Sequence, residues 1–117
     1  MTSYSRDINS IISVAASVTG VLQQDLKGPS RKRSIAYPRF VAMKAVREAT
    51  GKSYPAIAKA FNRDHSTIVT GVQKASEIIA DNEDAAEDYH NIMVLASRSK
   101  AHLMCFAYEQ IDRSALV

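Results

Sequence analysis

The sequence predicts an all-α protein: a helical bundle with an extra helix or helix pair at its C-terminal end. Two observations lead to this prediction. Apolar residues recur at intervals of three and four along most of the 117 residues, which places their side chains on one face of an α-helix. Sustained alternation of apolar and polar residues, the pattern typical of strands, occurs nowhere in the chain. The length suits one compact domain.

The first helices are delimited by glycine and proline. A helix is predicted over about residues 7–19, with Gly20 as its C-terminal stop, and a short helical turn over residues 21–27. Residues 30–34 are polar and basic without an apolar anchor, so we expect an exposed loop there. Pro38 suits the first turn of the next helix, because the missing N–H of proline costs no hydrogen bond in that position.

The centre of the chain contains a helix-turn-helix pattern. The third helix is predicted to end at Gly51, and Ser53 is the predicted N-cap of a short fourth helix. Asn62 tolerates the left-handed conformation that a tight turn needs, and Asp64 is then the predicted cap of a long helix. Two helices joined by a turn of three to four residues form a helix-turn-helix.

The C-terminal third differs in composition from the rest. Residues 81–88 are acidic, and we expect a break and a new helix start there, because anions favour a helix N-terminus. Apolar residues continue at helical spacing over residues 89–111, as one helix or as two. We therefore expect a helix-turn-helix domain over residues 1–80 and an extension over residues 81–117, which packs on that domain or mediates homodimerisation.

Composition argues against an enzyme, and we expect no cofactor, metal ion or bound nucleotide. A single cysteine excludes an internal disulfide framework. The tripeptide Gly51-Lys52-Ser53 resembles the end of a phosphate-binding loop, but position 46 is valine where that loop needs glycine. No apolar run reaches the roughly 18–20 residues of a membrane span, so we expect a cytoplasmic, nucleoid-associated protein with no membrane partner.

Charge is segregated along the chain although the net charge is only +3. Residues 27–74 carry eleven lysines and arginines against two acidic residues, whereas residues 75–117 carry three basic and eight acidic residues. Residues 27–47 contain no acidic residue at all. This distribution indicates a polyanion that contacts the centre of the chain.

The start of the long helix carries the residues that point to double-stranded DNA. The first side chains of a helix project beyond its end, so they reach base edges when that end enters the major groove. Thr67 offers a hydroxyl and a methyl group that can contact thymine, His65 can donate to a base acceptor, and Asp64 can accept from a cytosine amine. Ser66 is expected to contact a phosphate.

Three stretches of the chain resemble the C-terminal DNA-binding domain of the bacterial replication initiator DnaA, a Trp-repressor-like helix-turn-helix. They are Ser-Ile-Ala-Tyr-Pro-Arg at 34–39, Ser-Tyr-Pro-Ala-Ile-Ala-Lys-Ala-Phe at 53–61 and Arg-Asp-His-Ser-Thr-Ile at 63–68. The resemblance covers about residues 7–80. The sequence departs from the family pattern at Phe40, where glutamine is frequent, at Asn62, which replaces a pair of glycines, and at Thr70, where a second histidine is common.

The resemblance implies DNA contacts from a basic loop, the third helix and the helix-turn-helix: Arg31, Lys32, Arg33, Arg39, Arg47, Ser53, Pro55, Asp64, His65, Ser66, Thr67 and Thr70. It places Arg31 in the minor groove, Arg39 and Arg47 on phosphates or a base, and residues 64–67 in the major groove. The start of the short helix would present backbone to a phosphate.

The function expected from the resemblance is sequence-specific binding at DnaA-box-like sites without ATPase activity. Such a protein would regulate transcription or modulate replication initiation. The alternative is a protein-interaction adaptor that uses its C-terminal helices.

Overall fold

The computed structural model describes residues 7–97, which are all-helical as predicted. Six helices and no strand occupy this range: α1 (Ile8–Thr19), α2 (Gln23–Leu26), α3 (Arg33–Thr50), α4 (Tyr54–Phe61), α5 (His65–Asp81) and α6 (Glu83–Ala96). Among the described residues, no helix has the length and apolar character that crossing a membrane requires. The prediction of one or two helices over 89–111 falls largely outside the described residues.

Helix α3 lies at the centre of the bundle. It packs against α1, α5 and α6, and α4 packs against α5. The largest fully buried side chains come from all six helices: Ile11, Ile12, Leu26, Val41, Met43, Val46, Ile57, Phe61, Ile68 and Ile92. Burying a side chain of this size contributes roughly 1.5–3 kcal/mol. Because α6 contributes Ile92 and Ala96 to this core, it packs on the helix-turn-helix and shares one interior with it.

Most helix ends lie where the sequence predicts them. Gly51 ends α3 in the left-handed conformation with φ 66°, and the Ser53 side chain accepts a hydrogen bond from the N–H of Ala56 at 3.3 Å at the start of α4. Asn62 ends α4 with φ 59° and ψ 46°. The predicted break in the acidic stretch occurs at Asn82, whose side chain caps α6.

The start of α3 differs from the prediction. The helix begins at Arg33, so part of the predicted loop is helical and Pro38 lies in the second turn. The backbone N–H groups of Ile35 and Ala36 donate to the carbonyl of Lys32 at 2.9 and 2.7 Å, which forms the first turn. Pro38 removes only the bond to the carbonyl of Ser34, and water can satisfy that carbonyl because Ser34 is exposed.

Candidate nucleic-acid interface

The N-terminal end of α5 presents the residues predicted to read bases. Residues 64–67 and Thr70 are exposed, while Ile68, Gly71 and Ala75 are buried against the bundle. The buried residues recur at spacings of three and four, so they fix the face of α5 that is turned to the core. The opposite face and the helix tip are therefore open to a partner.

Asp64 occupies the N-cap position of α5 but does not cap it with its side chain, which corrects the prediction. Its backbone carbonyl accepts hydrogen bonds from the N–H groups of Thr67 and Ile68 at 3.1 and 3.3 Å, and these form the first turn. The carboxylate accepts no capping hydrogen bond. It thus remains at the exposed tip beside His65, where it can accept from a ligand.

The start of α4 is arranged as the sequence predicts. Ser53 and Pro55 are exposed, and Pro55 lies in the first turn of the helix. Arg47 braces this junction: its guanidinium lies 4.3 Å from the centre of the Tyr54 ring and donates to the carbonyl of Lys52. Arg47 is half-buried, so it orders the connection between α3 and α4 and retains part of its surface.

The basic loop before α3 is exposed. Arg31, Lys32 and Arg33 all lie at the surface, and the guanidinium of Arg33 lies 5.4 Å from the centre of the Tyr37 ring. The backbone N–H of Lys32 donates to the Ser30 hydroxyl at 3.3 Å. These contacts order the backbone of the loop and leave its cationic groups open to solvent.

Arg39 is placed differently from the prediction. Its side chain is 4% exposed, and all three of its guanidinium nitrogens donate to backbone carbonyls. Nε donates to Leu26 at 2.9 Å, Nη1 to Ser30 at 2.7 Å and Nη2 to Asp25 at 2.7 Å. Burial, the main cause, and the nearby Arg63 lower the pKa of Arg39. Because this guanidinium is buried and each of its nitrogens binds a backbone carbonyl, the structure does not present Arg39 to a phosphate at the surface.

The position of Arg39 could have been inferred from the sequence. It lies three and seven residues before Ala42 and Val46, which are both fully buried. A residue at this spacing faces the interior of the same helix. An arginine on an inward-facing position needs hydrogen-bond acceptors, and the glycine- and proline-containing segment before the loop supplies them as backbone carbonyls.

Arg63 belongs to the motif at residues 63–68 but was not predicted as a site residue, and the structure gives it a structural role. It lies in the turn between α4 and α5 and donates to the carbonyls of Phe61 at 3.0 Å and Gly28 at 2.5 Å, with a longer contact to Lys27 at 3.5 Å. Burial lowers its pKa. No periodicity marks this residue, since it lies between two helices, so only the folded chain reveals that it contacts the loop segment.

A groove separates the basic loop from the tip of α5. Residues 27–31 line it on the loop side, and Asn62, Arg63 and Thr67 line it on the helix-turn-helix side. Ala36, Arg39 and Phe40 of α3 complete the lining. Arg31 of the basic loop and Thr67 of the predicted reading residues therefore line one common concave surface.

A second, shallower hollow continues along α5. Its lining includes the predicted residues Ser66, Thr67 and Thr70, together with Phe40 and Lys74. Lys74 is exposed and lies one helical turn beyond Thr70, so it adds a cation to the same strip of surface. Charge density alone did not distinguish it from the other lysines.

Comparison with known proteins agrees with this architecture. Residues 8–75 match the family described as the bacterial dnaA protein helix-turn-helix. That match covers more than half of the chain and includes α1 to most of α5. The chain belongs to this DnaA helix-turn-helix family. Membership indicates a DNA-binding domain, which the exposed tip of α5 and the basic loop fit.

One relative of known name is a longer protein. The chromosomal replication initiator protein DnaA of Neisseria meningitidis serogroup C / serotype 2a is 34% identical over 86 residues, which cover 73% of this chain. The same alignment covers 17% of the DnaA protein. The chain thus corresponds to a small part of that relative, and the similarity concerns the helix-turn-helix region.

Proposed function

We propose that the chain binds double-stranded DNA sequence-specifically at DnaA-box-like sites. The observation that carries the proposal is the common groove between the exposed tip of α5 and the basic loop. Residues 64–67 then read base edges in the major groove while Arg31 enters the adjacent minor groove. Lys32, Arg33 and the N-terminus of α4 at Ser53 and Pro55 contact phosphates.

Affinity and sequence choice come from different parts of this surface. Cations that neutralise phosphates supply binding that is independent of sequence and sensitive to salt. Side chains that meet base edges in the major groove supply discrimination. His65, Thr67 and Asp64 are exposed at the helix tip, which supports their assignment to the second task.

The biological role that follows is occupancy of such sites without ATP hydrolysis. A chain that occupies DnaA-box-like sites competes with other proteins for them. It thereby regulates a nearby promoter or modulates replication initiation.

The test is a fluorescence-anisotropy titration of the full chain against two labelled duplexes. One contains a DnaA box, and the other contains the same bases in scrambled order, and both are measured over a series of salt concentrations. We expect a preference of about 10³-fold or more for the box and a steep salt dependence on both duplexes. Equal affinity for the two duplexes would refute box recognition, and no binding to either at low salt would refute DNA binding.

A further inference from the structure

Two arginines, buried Arg39 and half-buried Arg63, hold the segment that leads into the basic loop. Arg39 of α3 binds the carbonyls of residues 25, 26 and 30, and Arg63 of the interhelical turn binds those of residues 27 and 28. Five of the six carbonyls from residue 25 to residue 30 therefore accept hydrogen bonds from two side chains. The position of this segment is set jointly by α3 and by the helix-turn-helix.

This arrangement is specific to arginine. The guanidinium presents five N–H donors from three nitrogens in a rigid plane. Lysine presents three donors from one nitrogen, so it cannot span carbonyls as far apart as those that the guanidinium binds. The two guanidiniums also lie close enough to lower the pKa of Arg39. Placing two desolvated cations together is unfavourable, and the carbonyl oxygens around them compensate this cost.

The chain connects these arginines directly to the two reading elements. Arg31 follows Ser30, the last carbonyl that Arg39 holds. Arg63 precedes Asp64, the first residue of the recognition tip. The spacing between the loop and the tip of α5 is thus determined by hydrogen bonds that lie at the back of the groove.

We propose that Arg39 and Arg63 are positioning residues that hold the minor-groove loop in register with the major-groove helix. The proposal rests on the proposed function. A single sugar-phosphate strand separates the two grooves of a duplex, so a protein that reads both must straddle that strand at a fixed spacing. Holding the loop in place before binding avoids the entropy cost of ordering it on the DNA.

The experiment compares Arg63→Gln with the wild-type chain on chemically modified versions of the box duplex. Replacing adenine by 2,6-diaminopurine adds an amino group in the minor groove only, and replacing thymine by uracil removes a methyl group in the major groove only. Arg31→Gln serves as the reference for loss of minor-groove reading. Lys44→Gln is the matched control, because it removes one cation that is paired with Glu48 on another part of α3.

For the wild type we expect diaminopurine at the loop end of the box and uracil at the helix end each to weaken binding, by about tenfold for an interaction of typical strength. Arg63→Gln should lose the diaminopurine penalty, as Arg31→Gln does, and keep the uracil penalty. Arg63→Lys should behave like Arg63→Gln. Lysine retains the charge but loses the planar geometry of the guanidinium, on which the proposal depends. Lys44→Gln should keep both penalties.

If Arg63→Gln loses both penalties in equal measure, Arg63 has a general structural role and the proposal is wrong. If Arg63→Gln keeps both penalties, the proposal is also wrong. A wild type that prefers the box but shows no diaminopurine penalty would overturn it as well. A wild type without box preference would refute the proposed function itself, and the inference with it.

A second variant leaves both arginines unchanged, in case Arg63→Gln does not fold. Pro29→Gly loosens the exposed loop segment and leaves both guanidiniums in place. We expect the same selective loss of the diaminopurine penalty, with a thermal melting curve close to that of the wild type. A retained penalty would contradict the role of loop position.

Discussion

Asn62 determines the turn between the two helices of the motif. Among residues 7–97 it is the non-glycine residue with positive φ, and its N–H closes the end of α4 on the carbonyls of Ala58 and Lys59. A β-branched residue at this position would incur the left-handed penalty of about 1–2 kcal/mol. We expect Asn62→Val to lower the free energy of unfolding by that amount, measured by chemical denaturation. Asn62→Gly should leave it nearly unchanged, and equal losses in both variants would exclude backbone strain as the cause.

His65 and Thr67 test base reading at the level of single side chains. Under the proposed function, His65→Ala or Thr67→Ala removes a base contact, so discrimination between box and scrambled DNA should fall by about 1–3 kcal/mol. The salt dependence should not change, because no phosphate-neutralising charge is lost. Thr67→Ser is the control that keeps the hydroxyl and removes the methyl group. An unchanged ratio of affinities for His65→Ala would mean that this side chain reads no base.

At this scale the sequence predicted which residues are exposed at the tip of α5 but misplaced one arginine. Short motifs report local helix ends well, because capping depends on neighbours within four residues. Arg39 and Arg63 bind carbonyls of residues 25–30, which lie 9 to 36 residues away in the sequence. The helical spacing of Arg39 indicates an inward-facing side chain, but only the tertiary fold shows which carbonyls the two arginines bind.

Close packing between α3 and α5 depends on Gly71. A Cβ at this position would lie 2.5 Å from the Met43 sulfur and 3.3 Å from the Phe40 ring, and Met43 is fully buried. Replacing glycine by alanine in a helix normally gains up to about 1 kcal/mol, but overpacking costs about 1–3 kcal/mol. We expect Gly71→Ala to destabilise the protein by about 1 kcal/mol.

A double-mutant cycle with Met43→Ala checks the cause of that loss. If the clash is with the Met43 side chain, Gly71→Ala should be neutral or stabilising when Met43 is already alanine. Additive effects in the cycle would contradict the proposed contact.

The contact between α3 and α6 has a pH dependence. Glu48 accepts hydrogen bonds from Lys44 at 2.7 Å and from the Tyr89 hydroxyl, and these bonds lower the pKa of Glu48 below its ordinary value of 4.5. A lowered carboxyl pKa means that ionised Glu48 stabilises the folded state. This stabilisation is complete at pH values above the pKa of Glu48 in the unfolded chain, and it is lost as the pH falls through the lower pKa of the folded state.

We therefore expect Glu48→Gln to reduce the free energy of unfolding at neutral pH by a few tenths of a kcal/mol, since the Glu48 side chain is about half exposed and solvent weakens the ion pair. The difference from the wild type should shrink as the pH falls below 4.5 and disappear once the pH lies below the lowered pKa of folded Glu48, where the carboxyl group is protonated in both states. Denaturant melts at several pH values measure it. A difference that persists at the acidic end would exclude the Glu48 charge as its source.

Among the helices, those bounded by strong local signals were predicted best. The ends at Gly51, Asn62 and Asn82 each combine a residue that favours its cap conformation with a change in apolar spacing. The start of α3 was misjudged because Pro38 was assigned to the first turn, whereas an exposed second turn also tolerates proline. A proline near a helix start therefore predicts the position of that start only to within about one turn.

At the scale of the molecule, α6 belongs to the core that the helix-turn-helix builds. Ile92 and Ala96 are buried within the chain, so these two residues are not free for a second copy. Homodimerisation through residues 81–117 stays a prediction, and much of that range lies outside the described residues. The apolar spacing of α6 did not reveal whether it packs within the chain or against a partner, because both give the same pattern.

The two ends of α5 lie in regions of opposite charge. Its N-terminal tip adjoins the basic groove, and its C-terminal end leads into the acidic start of α6. Seventeen residues place these ends about 25 Å apart. In the acidic region, burial and then the neighbours Glu87 and Asp84 raise the pKa of Asp88, which indicates mutual repulsion among these carboxylates.

That distance predicts how salt and charge changes act on DNA binding. At physiological ionic strength the screening length is about 8 Å, so the acidic end should not weaken binding at the groove. We expect Asp84→Asn with Glu87→Gln to leave affinity within about twofold at that ionic strength, and to raise it at about 0.01 M salt, where screening extends to about 30 Å.

Under the proposed function, Lys32→Gln removes a phosphate contact, so it should instead weaken binding at all salt concentrations and reduce the slope of log affinity against log salt by about 0.9. Anisotropy titrations of both variants over one salt series compare the two ends directly. A several-fold gain in affinity for the acidic variant at physiological salt would mean that α6 repels the DNA at close range. The bound duplex would then extend along α5 to its C-terminal end, beyond the groove at its tip.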